Sequence, residues 1–196
     1  MGIEQPKEWY DVEHGEWDDE HHGGKYAALF NTVVSTLKGW ESKRVLDIGC
    51  GSGYMTKMIV DAGIECHAFD FSRTSVLMTS ERGISNVWLG NCLESQNYLK
   101  VDYDAYVSTE VLEHIEDDLK IFENIPTGKP FVFSVPSFDS PGHVRYFLES
   151  SQVVERYSPF IEIEKILLVQ RDQTVEEVSL VDSKFAARYV VQGTVK

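Results

Sequence analysis

Residues 45–53 read Val-Leu-Asp-Ile-Gly-Cys-Gly-Ser-Gly, and this run constrains the fold more than any other. Its first half is a buried strand, because aliphatic and β-branched residues sit together up to an aspartate. Its second half cannot be a regular element, since glycines at alternate positions permit backbone angles and close approaches that a Cβ would block. Met55, Met58, Ile59 and Ala62 then recur at helical spacing, and Gly63 stops the helix. A strand, a glycine turn and a helix bring a nucleotide-like ligand against backbone N–H groups and a helix N-terminus. The spacing is D-x-G-x-G-x-G, neither the G-x-G-x-x-G of a dinucleotide fingerprint nor a phosphate loop ending in Lys-Ser/Thr. An acid at the strand end repels a pyrophosphate and suits an ammonium or sulfonium ligand.

The next segments repeat the unit. Cys66-His67-Ala68-Phe69-Asp70 is a second strand ending in an acid about 20 residues past the turn, where a carboxylate accepts both ribose hydroxyls. Asp70 also suits a cap for the helix starting near Arg73. Asn86 to Leu89 is a third strand, followed by Gly90-Asn91-Cys92-Leu93. The glycine run resembles the first motif of class I S-adenosylmethionine-dependent methyltransferases. That resemblance covers residues 43–170 and implies S-adenosylmethionine as cofactor. It implies cofactor contacts at Asp47, Gly49, Cys50, Gly51, Gly53, Asp70, Phe71, Asn91, Cys92, Leu93, Thr109 and Glu110. The family places an acid against the adenine amino group; here the matching residue is Asn91, whose amide oxygen still accepts that bond.

Composition narrows the setting. A chain of 196 residues with 42% hydrophobic content suits one compact α/β core, with residues 1–42 as an N-terminal segment and helix and 43–196 as the cofactor-binding domain; the resemblance implies that the N-terminal segment is a lid, while its composition equally suits a partly disordered acidic N-terminus with a few aromatic anchors. No apolar run is long enough to cross a membrane, and no charged-then-apolar leader opens the chain. Cys50, Cys66 and Cys92 are odd in number and lie in or beside strands, so reduced thiols in a cytoplasmic protein are expected. The net charge of −14, with 18 Lys and Arg against 32 Asp and Glu, disfavours nucleic acid and favours a small-molecule or carrier-bound substrate. Oligomeric state leaves no mark in the sequence. Trp9, Tyr10 and Trp17 offer apolar cover for a site, and Tyr10 is a candidate substrate contact. His14, His21 and His22 sit in a charged segment and read as exposed. Leu29, Phe30, Val33, Val34 and Leu37 mark an amphipathic helix ended by Gly39.

Asp104 to Ser108 is a short fourth strand. Thr109 and Glu110 turn out of its C-terminal end, where ligands bind open α/β sheets. The pattern predicts a helix from Val111 to Phe122 with a buried stripe of Leu112, Ile115, Leu119 and Phe122. If it begins at Glu110, then Glu110, Glu113 and His114 share one face. The run Glu110-Val111-Leu112-Glu113-His114-Ile115 is similar to a signature of small-molecule methyltransferases. With His143 in the loop after the fifth strand, it is also similar to the E-x-x-E-H plus distant His of metal-dependent small-RNA 2′-O-methyltransferases. Its first three polar residues match a ubiquinone-pathway O-methyltransferase pattern. Glu110, Glu113, His114 and His143 are therefore candidate ligands for a divalent metal, while His143 and His114 are candidate general bases. Arg145 and Tyr146 are candidates for orienting a substrate.

Residues 149–157 read as a helix, 161–169 as a strand, 170–183 as a polar stretch and 185–195 as a last strand. The expected fold is α/β, a Rossmann-like three-layer sandwich with a seven-stranded, mostly parallel sheet. The resemblance adds a C-terminal antiparallel hairpin whose last strand inserts beside the fifth. The expected activity is methyl transfer to a small-molecule or carrier-bound acceptor, most readily at oxygen. The alternatives are metal-dependent RNA 2′-O-methylation and a non-catalytic cofactor-binding protein.

Overall fold

The computed structural model describes residues 2–15, 25–170, 173–175 and 187–196. Expectations that fall on Trp17, His21, His22 and Phe185, and most of the polar stretch 170–183, lie outside the described residues. Among the described residues two helices precede the sheet: α1 (Lys7–Gly15) and α2 (Ala27–Gly39). Then come β1 (Arg44–Ile48), α3 (Tyr54–Asp61), β2 (Glu65–Asp70), α4 (Arg73–Glu81), β3 (Val87–Leu89) and β4 (Ala105–Ser108). The chain continues through α5 (Leu119–Asn124), β5 (Pro130–Pro136), α6 (Ser150–Tyr157), β6 (Ile161–Gln170), β7 (Gln173–Val175) and β8 (Arg188–Val195).

The strands form one sheet in the order β3-β2-β1-β4-β5-β8-β6-β7. The first five are parallel, and β8 runs antiparallel between β5 and β6. This is the expected Rossmann-like plan of seven strands with a terminal antiparallel hairpin, extended by the three-residue β7 on the edge of β6. Alternation along the strands explains the layers. Leu46, Tyr106, Phe131 and Val191 point into one apolar cluster, while their neighbours Val45, Val107, Val132 and Val190 point into the other. Helix α2 covers the second face with Leu29, Val33 and Leu37, all at most 1% exposed. Phe122, Val153 and Tyr157 cover the first.

The predicted helix over 111–122 is not continuous. Glu110 takes a positive φ of 57°, Leu112–His114 is a single 3-10 turn, Ile115 is extended, and α5 starts only at Leu119. The cause is tertiary. Carbonyls of Leu112, Ile115 and Glu116, which a helix would pair with N–H groups four residues on, are bound by the Arg145 guanidinium. The Glu113 carbonyl accepts the N–H of Val144 at 2.8 Å. Glu110 therefore shares no helical face with Glu113 and His114.

Candidate active site

A cavity of about 320 Å³ opens at the C-terminal edge of the parallel strands. The ends of β2, β1 and β4 and the start of β8 form its rim, and residues of α1 and α2 form its roof. In an open α/β sheet this edge is the ligand site.

The cofactor half is built by short-range geometry. Gly53 caps α3 at φ 77°, and a Cβ there would lie 2.5 Å from Thr79 Oγ1. Gly51 has φ 53° with open space where its Cβ would be, so its backbone faces the cavity. Gly51 N donates to Asp70 Oδ2 and Ser72 N donates to Asp70 Oδ1, each at 2.9 Å. Asp70 is 4% exposed, and burial pushes its carboxyl up to about 6. Each oxygen keeps a lone pair for a hydroxyl donor. Gly49, Cys50, Phe71, Asn91, Cys92, Leu93, Thr109 and Glu110 also line the cavity. Asn91 Oδ1 accepts the Leu93 N–H at 2.9 Å, which shapes the loop.

Two residues expected to touch the cofactor act from behind the wall. Asp47 does not line the cavity: its Oδ2 accepts from Thr56 Oγ1 at 2.6 Å, and burial pushes it up to about 7. Gly53 serves the packing of α3 on α4.

The other half gathers Glu113, His114 and His143. Their ligand-type atoms lie within 4.8 Å of one another. Glu113 is completely buried, and neither of its carboxylate oxygens has a hydrogen-bond partner. Burial, then the nearby Glu110, raises its carboxyl well above the usual range. His114 Nδ1 lies 3.0 Å from the Gly142 carbonyl, and His143 Nδ1 lies 3.1 Å from the Phe138 carbonyl. A carbonyl only accepts, so each Nδ1 carries the proton and each Nε2 offers a lone pair. Burial pushes His114 down to about 4 and His143 down as well, so both imidazoles are neutral at pH 7. Imidazoles tied by Nδ1–H to carbonyls, beside an unpartnered carboxylate, are a donor set that fits a divalent ion. Glu110 is not part of it: Arg188 Nε donates to its Oε2 at 2.6 Å and Ser134 Oγ to its Oε1 at 2.9 Å.

Arg145 and Tyr146 do not line the cavity. Arg145 faces the 112–116 turn and the buried Asp118, 3.3 Å away, so it braces the turn that carries Glu113 and His114. Tyr10 does line it. Its ring meets Phe71 at 5.1 Å and His114 at 5.8 Å, and its buried hydroxyl has no partner. Helix α1 is latched to the cofactor side: Asp11 accepts from Ser72 Oγ at 2.6 Å. His14, expected to be exposed, is buried with Nδ1 2.5 Å from Ser75 Oγ. Beside the Glu113, His114 and His143 cluster, Gly2 N donates to the His143 carbonyl and Glu4 accepts from Glu116 N. Sequence reasoning missed Arg188, which lies 8% exposed between the rings of Tyr26 and Phe138. Its sequence signal is slight: one cation opening an apolar strand.

The fold and cavity define an open α/β domain with a cleft at the C-terminal edge of its parallel strands and an acid–imidazole cluster at one end. A family model described as a methyltransferase domain matches residues 19–160. The chain belongs to that methyltransferase family, and its fold is that of class I S-adenosylmethionine-dependent methyltransferases. It is 26% identical over 121 residues to the ubiquinone biosynthesis O-methyltransferase of Vibrio cholerae, a match covering 59% of this chain and 48% of that protein. The chain thus spans about half the length of the curated relatives it matches. Its fold is similar to that of the N-methyltransferase NodS from Bradyrhizobium japonicum, solved with S-adenosyl-L-homocysteine. The TM-score is 0.64 at 15% identity, covering 97% of this chain and 99% of the other. It is also similar to magnesium protoporphyrin IX methyltransferase from Synechocystis, solved with bound SAM, with TM-score 0.60 at 14% identity over 86% and 78% of the two chains. Among the described residues no helix is long and apolar enough to cross a membrane.

Proposed function

We propose that this chain transfers the methyl group of S-adenosylmethionine to an oxygen of a small-molecule or carrier-bound acceptor in the cytoplasm. The observation that carries the reading is the buried, unpartnered Glu113 carboxylate within 4.8 Å of two neutral imidazoles at one end of the cavity. Residues 43–196 form the cofactor-binding domain, and residues 1–42 serve as its lid. Asp70 holds the ribose hydroxyls, Gly49 to Gly51 pass beneath the thioether chain, and Asn91 with Leu93 borders the adenine. Trp9 and Tyr10 exclude water, which strengthens every electrostatic contact inside. Glu113, His114 and His143 would hold a divalent metal, which supplies a Lewis acid that lowers the pKa of an acceptor hydroxyl. In the metal-free site the same His143 Nε2 lone pair would instead take the acceptor proton, and the Phe138 carbonyl fixes the tautomer that permits it. Oxygen as the acceptor atom is further supported by the similarity to ubiquinone biosynthesis O-methyltransferases. The low count of cations supports an acceptor other than a nucleic acid.

The test is a methyl-transfer assay with labelled S-adenosylmethionine against a panel of phenols, alcohols, amines and RNA, with Mn²⁺ or with a chelator. Turnover confined to hydroxyl compounds, stimulated by Mn²⁺ and lost in Glu113→Gln and His143→Ala, is the expected result. Turnover of amines alone, indifferent to both substitutions, contradicts it.

A further inference from the structure

The cluster of Glu113, His114 and His143 stands on two segments without regular α or β structure. Glu113 and His114 lie in a single 3-10 turn, and Ile115 after it is extended. His143 lies in the loop between β5 and α6. Neither segment fixes its own shape, so their hold on each other decides where the three side chains stand. Val144 N and Arg145 N donate to the Glu113 carbonyl at 2.8 Å and 3.3 Å, and His114 Nδ1 donates to the Gly142 carbonyl at 3.0 Å. The Arg145 guanidinium binds the carbonyls of Leu112, Ile115 and Glu116. One residue of the loop thus grips the turn along its length.

A guanidinium so placed needs an anion. Burial disfavours the Arg145 charge, and Asp118 is the strongest influence opposing that. Asp118 is 0% exposed and lies 3.3 Å from Arg145. Its other partners come from α6. Arg156 meets it with both Nε and Nη2, and the Tyr157 hydroxyl donates to it at 2.8 Å. Tyr157 is itself in the core, against Phe122, Phe133 and Phe147. The core thereby holds Asp118, Asp118 holds Arg145, and Arg145 holds the turn and the loop.

Two observations set this apart from an ordinary structural role. Asp118 is the N-cap of α5, where an aspartate side chain normally accepts an N–H of the first turn, yet its carboxylate makes no cap bond. It is turned to the two arginines instead. A buried ion pair is also weak evidence for stability, because desolvation costs about as much as the attraction returns, and its best-attested use is to fix register. None of Asp118, Arg145, Arg156 and Tyr157 lines the cavity, so the network reaches the site only through the turn and the loop.

We propose that Asp118 is a positioning residue for the acid–imidazole cluster: through Arg145 it sets the register of turn and loop that brings Glu113, His114 and His143 together. The inference rests on the reading of that cluster as the acceptor site. It makes α6, which lines no part of the cavity, a support of that site.

Asp118→Asn tests it, because the amide keeps the volume and an acceptor for the Tyr157 hydroxyl and removes the charge that holds Arg145. Two readouts on the full chain apply. Long-range ¹H–¹⁵N NMR of the imidazoles is expected to show the Nδ1–H tautomer at His114 and His143 in wild type. In Asp118→Asn, His114 is expected to become a mixture of tautomers, since its bond to Gly142 crosses from turn to loop. His143, bonded within its own loop, is expected to stay unchanged. Calorimetric titration with Mn²⁺ is expected to show binding weakened tenfold or more in Asp118→Asn, with S-adenosylhomocysteine affinity within twofold of wild type. Arg145→Lys keeps the charge and cannot span three carbonyls, so it is expected to repeat both losses and serves if Asp118→Asn does not fold. Arg156→Gln removes the outer partner, leaves Arg145 paired and is expected to leave the tautomers unchanged. A folded Asp118→Asn protein with the wild-type His114 tautomer overturns the proposal. So does an equal change in Arg156→Gln, which makes the effect a general loosening. Wild-type protein without Mn²⁺ affinity refutes the metal reading of the cluster, a result distinct from the tautomer outcome, which still decides the proposal.

Discussion

Replacing Glu113 with methionine is expected to make the metal-free protein more stable while abolishing its activity. Glu113 is 0% exposed with both carboxylate oxygens unpartnered. Burying such a polar group without a hydrogen bond costs about 1–3 kcal/mol on mutational scales. Methionine has similar length and no polar atom to leave unpaired, so the substitution removes that cost with little change in volume. For a chain of this size 1 kcal/mol is worth about 2–4 °C in Tm, so Glu113→Met is expected to melt about 2–12 °C above wild type in a chelator. Mn²⁺ reverses the order. At about 100 times its Kd an ion that binds only the folded state adds about 2.7 kcal/mol, and only wild type retains the full donor set. Thermal unfolding followed by circular dichroism, with chelator and with Mn²⁺, reads both effects. A Glu113→Met protein that melts below wild type in chelator refutes the reasoning, because the carboxylate would then be a satisfied structural group.

Other outcomes follow from the same geometry. Burial holds Asp70 up at about 6, and ribose recognition needs the ionised form, so S-adenosylhomocysteine affinity is expected to be full above about pH 7, halved near pH 6 and falling toward tenfold per unit below about pH 5. Isothermal titrations between pH 5 and 8 check this. The ligand-free protein runs the other way. Asp47, at about 7, and Asp70 both lie above the unfolded value near 3.9. Their contribution to stability is therefore complete below about pH 4 and lost as pH rises through 6 and 7, seen as a falling Tm. Gly53→Ala forces a Cβ to 2.5 Å from Thr79 Oγ1 and 2.8 Å from its Cα at φ 77°, so a loss of roughly 2–4 kcal/mol is expected in denaturant unfolding. Gly51→Ala meets nothing within 4 Å and is expected to cost only the left-handed backbone penalty of about 1–2 kcal/mol. Arg145→Ala leaves the carbonyls of Leu112, Ile115 and Glu116 without their donor. A destabilisation of about 2–3 kcal/mol in denaturant unfolding is expected.

The parts legible in the sequence are those whose chemistry is local. The turn from Asp47 to Gly53, the acid at Asp70 and the strand alternation each lie within one contiguous segment, so periodicity and glycine spacing report them directly. The 110–122 segment shows the limit. Its apolar spacing is helical, yet Arg145 and Val144, thirty residues away in sequence, take the hydrogen bonds a helix would use. That rerouting turns Glu113 inward and leaves Glu110 to Arg188, which no helical projection anticipates. Arg188 reaches the site only because β8 inserts antiparallel between β5 and β6, bringing its first residue to the edge where the parallel strands end. Helix α1 was equally illegible by composition: an acidic, aromatic segment packs because Asp11 and His14 find Ser72 and Ser75.

The most direct test of the central claim is a calorimetric titration of the wild-type chain and of Asp70→Ala with S-adenosylhomocysteine. One site in the micromolar range is expected for wild type, with loss of that binding in a folded Asp70→Ala protein. Folded wild-type protein that takes up no S-adenosylhomocysteine, or binding untouched by Asp70→Ala, contradicts it.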